Sequence, residues 1–158
     1  MSKRPLTAAG TLLGIGLGGF VDGIVFHQLL QLHSMLSARL PQDVLINVKI
    51  SMVWDGLFHT FTWLMTALGL ALLWHIGKQR NTSWNGSVLF GAMLMGWGIF
   101  NFVEGLIDHF LLEVHHVVER LGLSVYDYIY LASGVAFIVA GIFFIPTAKD
   151  DQSYTTSS

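Results

Sequence analysis

Four apolar stretches dominate the chain: Leu6 to Leu32, Ile50 to Ile76, Gly86 to Leu112 and Tyr126 to Ile145. Each supplies the roughly 20 residues that a helix needs to cross a bilayer. Lipid offers no hydrogen bonds, so a spanning segment must satisfy its own backbone groups, and each stretch is expected as a helix. Charge points to the same solvent, because 11% of the residues are charged against about 25% in soluble domains. The expected fold is all-α, an integral membrane four-helix bundle over residues 1–146, followed by a disordered tail over 147–158. With no cysteine, disulfides and thiolate metal sites are excluded. A net charge of -2 without a basic cluster excludes a nucleic-acid partner.

Polar breaks separate the stretches: SMLSARLPQD, GKQRNTSWN and VERLGLS. An even number of spans puts both termini on one side. Lys3, Arg4, Lys78, Arg80 and Lys149 fall on the terminal side, and Arg39, Lys49 and Arg120 on the other. The positive-inside rule then predicts both termini in the cytoplasm. The first stretch contains Asp22 and His27 and has no convincing small-residue cleavage site, unlike a signal peptide. Gly10, Gly14 and Gly18, and likewise Gly91, Gly96 and Gly98, are read as sites of close helix packing.

An internal repeat carries the unusual residues. FVDGIVFHQLLQLH at 20–33 matches FVEGLIDHFLLEVH at 102–115, an offset of 82 that pairs Asp22 with Glu104, His27 with His109 and His33 with His115. The helices that follow echo each other in VWDGLFH at 53–59 and VYDYIYL at 125–131. The chain thus reads as two duplicated helical hairpins, parallel copies about an axis along the membrane normal. Asp22, Asp55, Glu104 and Asp127 all fall in the outer half of the bilayer, whereas the inner portions hold one ionisable residue, His75. A transporter crossing the whole membrane is the least favoured reading.

Each charge in a membrane helix costs on the order of 3 kcal/mol or more, and the apolar parts of the spans hold no Lys or Arg to offset these carboxylates. Protonation, histidine partners or bound cations must do so. Histidine with carboxylate is the ligand set of zinc, non-haem iron, manganese and copper(II). The expected metal site comprises Asp22, His27, Asp55, His59, Glu104, Asp108 and His109. Two divalent ions would balance four carboxylates. Asp55 and His59, and likewise Glu104 and Asp108, are four apart and share a helix face. Asp22 and His27 are five apart, about 140° round an ideal helix, and converge only if the helix is distorted, as by a π-bulge.

Further candidates are His33, Glu113, His115, His116 and Asp127. The three histidines are expected near the outer boundary, in contact with water. Glu113-x-x-His116 has the spacing of di-iron bundles, but the first repeat carries Gln31 and Ser34 instead. Asp127 is either a ligand or a helix cap. A second shell of Gln28, Gln31, Asn101, Tyr126, Tyr128 and Tyr130 is expected. Haem is the alternative cofactor, with His27 and His109 as axial ligands, although it leaves the accompanying carboxylates without a role. Met93 and Met95 are read as packing, and Trp74 and Trp84 as interfacial anchors.

GGFVDGIVFHQLLQLH, the later WDGLFH, and the Glu-Gly-x-x-Asp-His segment from Glu104 to His109 resemble the bacterial membrane-protein family catalogued as domain of unknown function twenty-two forty-three. The resemblance runs from about Gly14 to Pro146 and implies four spans. It marks Asp22, His27, Gln28, His33, Asp55, His59, Glu104, Asp108, His109, His115 and His116 as family-type positions. The family name carries no activity. Its members' association with copper-handling oxidase-assembly proteins implies copper or haem-related work and a respiratory-oxidase assembly partner. Three functions stay open: a redox metalloenzyme acting on a lipid-soluble or periplasmic small molecule, a periplasm-facing metal-handling protein without turnover, and a haem electron carrier. The other expected partners are membrane lipid and a second copy of the chain.

Overall fold

The computed structural model describes residues 4–79 and 84–145. Lys3, Arg80, Lys149 and the tail expected over 147–158 lie outside the described residues. Four helices form: α1 (Arg4–Val21), α2 (Leu45–Gly77), α3 (Gly86–Glu104) and α4 (Val125–Phe144). All four, α1 and α3 with their continuations, are long and apolar enough to cross a membrane. The α3 N-terminus is capped by the Asn85 side chain, which accepts from the Val88 N–H at 3.1 Å. At the α4 N-terminus, Ser124 and Asp127 form a reciprocal capping box.

Helix α2 starts five residues before the expected Ile50, because nothing after Pro41 breaks a helix and its polar first turns, with Asn47 and Lys49, need not lie in lipid. Its 33 residues span about 50 Å at 1.5 Å per residue, well beyond the ~30 Å hydrocarbon core. One end of α2 therefore projects toward the loops 30–44 and 112–124.

The helices pack in the order α2, α1, α3, α4, and among the described residues α2 and α4 do not touch each other. Glycine sets this order. A Cβ on Gly14 would collide with the Met93 carbonyl of α3, and one on Gly134 of α4 would lie 2.7 Å from the Phe102 nitrogen of α3. Without a hydrophobic force between helices in lipid, such close backbone approach is what drives their association. The central pair is α1 and α3, flanked by α2 and α4, whose outer faces expose residues such as Trp63, Leu68, Val139 and Phe143.

Helices α1 and α3 both change character at their loop-bearing ends. Each continues as a π-helix, over Asp22–Leu29 and Gly105–Leu111. Leu30 N–H then bonds Val25 O, and Leu112 N–H bonds Ile107 O. Both chains next reverse through a left-handed residue, Gln31 at φ 49° and Glu113 at φ 46°. Longer bonds close the turns, from Leu32 N–H to Phe26 O and from Val114 N–H to Asp108 O, both 2.9 Å. Every member of these pairs is offset by 82 residues.

Candidate metal centre

A π turn closes hydrogen bonds between residues five apart, so it brings such residues onto one face. That is the spacing of Asp22 from His27 and of Glu104 from His109. His27 Nε2 lies 3.2 Å from Asp22 Oδ2, and His109 Nε2 lies 3.2 Å from Glu104 Oε1. The left-handed residue that follows turns each loop back over the helix end, and this folds His33 and His115 inward. Their rings stack at 4.6 Å with an interplanar angle of 6°. His27 meets His33 edge-on at 4.4 Å, and His109 meets His115 at 5.0 Å.

Four imidazoles and two carboxylates thus gather between the ends of α1 and α3. The outer nitrogen of each ring faces an oxygen. His33 Nδ1 donates to the Val117 carbonyl at 3.0 Å, and His115 Nδ1 donates to the Met35 carbonyl at 3.3 Å. A carbonyl only accepts, so in these two rings Nδ1 carries the proton. His27 Nδ1 lies 3.0 Å from Asp55 Oδ1, and His109 Nδ1 lies 3.2 Å from Asp127 Oδ1. The same two carboxylates hold the loops: Asp55 accepts the Met35 N–H and Asp127 accepts the Val117 N–H, each at 2.9 Å. Each half therefore orients a histidine of the other through the loop its own aspartate anchors.

The inner nitrogens are left short of donors. His27 Nε2, His33 Nε2, His109 Nε2, Asp22 Oδ2 and Glu104 Oε2 are buried without a hydrogen-bond partner. His115 Nε2 sits 2.8 Å from Glu104 Oε1. Burial, together with neighbouring His115 and His27, pushes the His33 pKa down to about 2, so that ring is neutral and its Nε2 is a lone pair. At His115 burial also disfavours the charged ring, but the Glu104 carboxylate outweighs it and raises the pKa above 6.5. Two groups have ligand atoms all within 4.8 Å of one another: His27, His33 and His115, and Glu104, His109 and His115. Tyr130 closes one side, with its hydroxyl 3.5 Å from Asp22 Oδ1, and Phe58 stacks on His27 at 5.6 Å.

Other expected residues lie elsewhere. His33, His115 and His116, expected in contact with water, are 5%, 0% and 8% exposed, because the left-handed turns carry the loops back over the centre. His59 spends its Nδ1 on the Asp55 carbonyl of its own helix, at 2.7 Å, and packs against Phe20 and Phe58. Asp108 is half-buried and outside both groups, because the π turn that aligns His109 with Glu104 rotates the residue four along away from it. Glu113 is exposed at its left-handed position, so the Glu113-x-x-His116 pair is not assembled. His116 lies 3.7 Å from Asp127, where the first half has Ser34. Asp127 is both cap and neighbour of the centre. Gln28, Gln31, Tyr126 and Tyr128 are exposed, and Asn101 bonds Ser133. The loop carbonyls of Met35 and Val117 carry no residue-type signal that a sequence could display.

A family model described as predicted membrane protein (DUF2243) matches residues 9–148, a range that holds every residue of the centre. The chain belongs to this family. Neither a curated protein nor a solved structure matches it.

Proposed function

We propose that this membrane protein binds two transition-metal ions, one per half, in a centre that serves redox chemistry. His27 and His33 converge with His115, and Asp22 stands 3.2 Å from His27, so Asp22, His27 and His33 would hold one ion beside His115; Glu104, His109 and His115 would hold the other. These sets correspond at the offset of 82, which supports reading the chain as a duplicated hairpin. The observation that carries the proposal is the inward convergence of buried imidazole Nε2 atoms and carboxylate oxygens, five of which have no hydrogen-bond partner. A cation supplies what is missing. Asp55, Asp127 and the carbonyls of Met35 and Val117 would fix ring orientation and tautomer, as outer partners of metal-bound histidines do.

Three protein ligands per ion leave positions open, the pattern of catalytic rather than structural sites. Imidazole and carboxylate without thiolate suit zinc, iron or copper(II). Burial of His33, His115 and His116 favours an enclosed centre over an open carrier site. A cavity of ≈ 480 Å³ lined by His27, His33, Ser37, Gln42 and Asp55 supports access from the loop side. With both termini cytoplasmic, that side is periplasmic and the membrane is the bacterial inner one. Haem is disfavoured, since the space that a porphyrin would need between His27 and His109 is filled by the stacked His33 and His115 rings.

The test is elemental analysis of protein purified in mild detergent, per mole of chain, for wild type, His27→Ala and His109→Ala. Two equivalents of zinc, iron or copper, falling to about one in each variant, are expected. Absence of metal after supplementation refutes the proposal and leaves the cluster as hydrogen bonds between helices.

A further inference from the structure

The two halves are not equally closed. The cavity of ≈ 480 Å³ reaches the first half, where His27, His33, Ser34 and Asp55 line it, and the exposed Gln28 and Gln42 mark its mouth on the loop side. Moved along the chain by 82, two of these residues become obstacles. Ser34 corresponds to His116, a buried ring whose Nδ1 lies 3.7 Å from Asp127 Oδ1. Gln28 corresponds to Phe110, which packs edge-on against Tyr128 at 5.1 Å. Asp127 is fully buried. Its counterpart Asp55 takes both of its bonds on Oδ1, and its side chain stays 9% exposed where it lines the cavity.

We propose that metal ions enter through this cavity, that the first-half position fills first, and that the second-half position fills through it. The inference rests on the metal-centre reading and adds the order in which the ions arrive. His27 and His33, whose Nε2 atoms are buried without a partner, are themselves wall residues, so no further residue stands between the cavity and these ligands. Composition suits a cation: the wall holds Asp55 and Glu119, and among the described residues that line it none is Lys or Arg. A cleft lined by one sign of charge concentrates ions of the other, and serine and glutamine oxygens offer lone pairs that replace an ion's water. The way onward is His115, which belongs to both groups of converging ligand atoms. Its Nε2 has a single lone pair to give. It therefore serves one ion at a time, first beside His27 and His33 and then with Glu104 and His109.

The experiment follows zinc uptake by the apo protein in mild detergent, with bound ion counted after rapid desalting at increasing times. Wild type should gain one equivalent quickly and the second more slowly. Val48→Trp, which fills the cavity from its α2 wall, should slow both at least tenfold yet still reach two equivalents, and Val139→Trp on the outer face of α4 should match wild type. Gln42→Trp at the mouth should act alike, and it takes the place of Val48→Trp if that variant does not load fully. Adding His116→Ser to the cavity variant should restore one rapid equivalent, because it opens the second half. Wild-type rates in both cavity variants, slowing of one equivalent alone, or no recovery in a double variant that loads fully overturns the inference. Two equivalents at equilibrium with unchanged rates sinks the route and leaves the centre; no zinc at equilibrium sinks the centre itself.

Discussion

Asp55 offers a test of the division between residues that would bind metal and residues that would hold a ligand in place. Its Oδ1 accepts two bonds, from His27 Nδ1 at 3.0 Å and from the Met35 N–H at 2.9 Å. Asp55→Asn keeps an oxygen at that position and can retain both bonds, losing only the charge that would make His27 a stronger donor to metal. Asp55→Ala removes both and frees the ring to rotate. Loss of such an outer partner costs about 10–100-fold in metal affinity, or about 1.4–2.7 kcal/mol. We expect the alanine variant near the upper figure and the asparagine variant near the lower, with both still reaching two equivalents at saturation. Alanine also strands the buried His27 Nδ1–H, at about 1–3 kcal/mol, and the half-buried Met35 N–H, so its Tm in detergent should fall while that of asparagine changes little. Competition between protein and a zinc chelator of known affinity reads the first quantity, and a thermal melt of the apo protein reads the second. If Asp55→Ala binds zinc within about threefold of wild type, His27 is not held for metal by Asp55, and the division between ligands and orienting groups fails.

The remaining predictions address the same centre and its frame. His33→Ala and His115→Ala should each lower bound metal from two equivalents to about one, measured per mole of chain, whereas Glu113→Gln and His59→Leu should leave it unchanged. Metal loading at pH 7 should release protons in weakly buffered solution: the raised pKa keeps a proton on His115 to higher pH than an ordinary histidine, and metal must displace it, so affinity rises with pH across that range. Loading without proton release contradicts this. Gly134→Val should destabilise the protein by about 1–3 kcal/mol or more through steric overlap, because the added Cβ meets the Phe102 nitrogen and the Gly98 carbonyl of α3 at 2.7 and 2.9 Å. Gly56→Ala, with nothing within 4 Å of the added atom, should leave the thermal melt within about 0.5 kcal/mol.

The architecture is legible in the chain because lipid is an undemanding reader. A run of apolar residues long enough to cross the bilayer has one way to satisfy its backbone, so Leu6 to Leu32 and its three counterparts announce themselves by length. The match of 20–33 with 102–115 was legible too, and it ends on His33 and His115, the two rings at the heart of the centre. Hydropathy argued against them, since both stand past the last apolar residues of their spans, where water is the ordinary neighbour. Their burial depends on Gln31 and Glu113 adopting left-handed backbone, a choice available to polar residues but not written in their identity.

What the sequence by itself determined is the solvent, the helices, the glycine faces along which they approach, and the pool of carboxylates and histidines without basic partners. Only the tertiary structure decided which of those groups share a point in space. Period arithmetic for an α-helix sets Asp22 apart from His27, and the π turn reverses that; the same arithmetic pairs Glu104 with Asp108, and the π turn separates them. The Met35 and Val117 carbonyls became partners of His115 and His33 because two loops cross between the halves. The physical reason is that a sequence encodes local geometry through averages of 3.6 residues per turn, whereas a site of converging side chains is built where the backbone departs from that average and distant segments close over it.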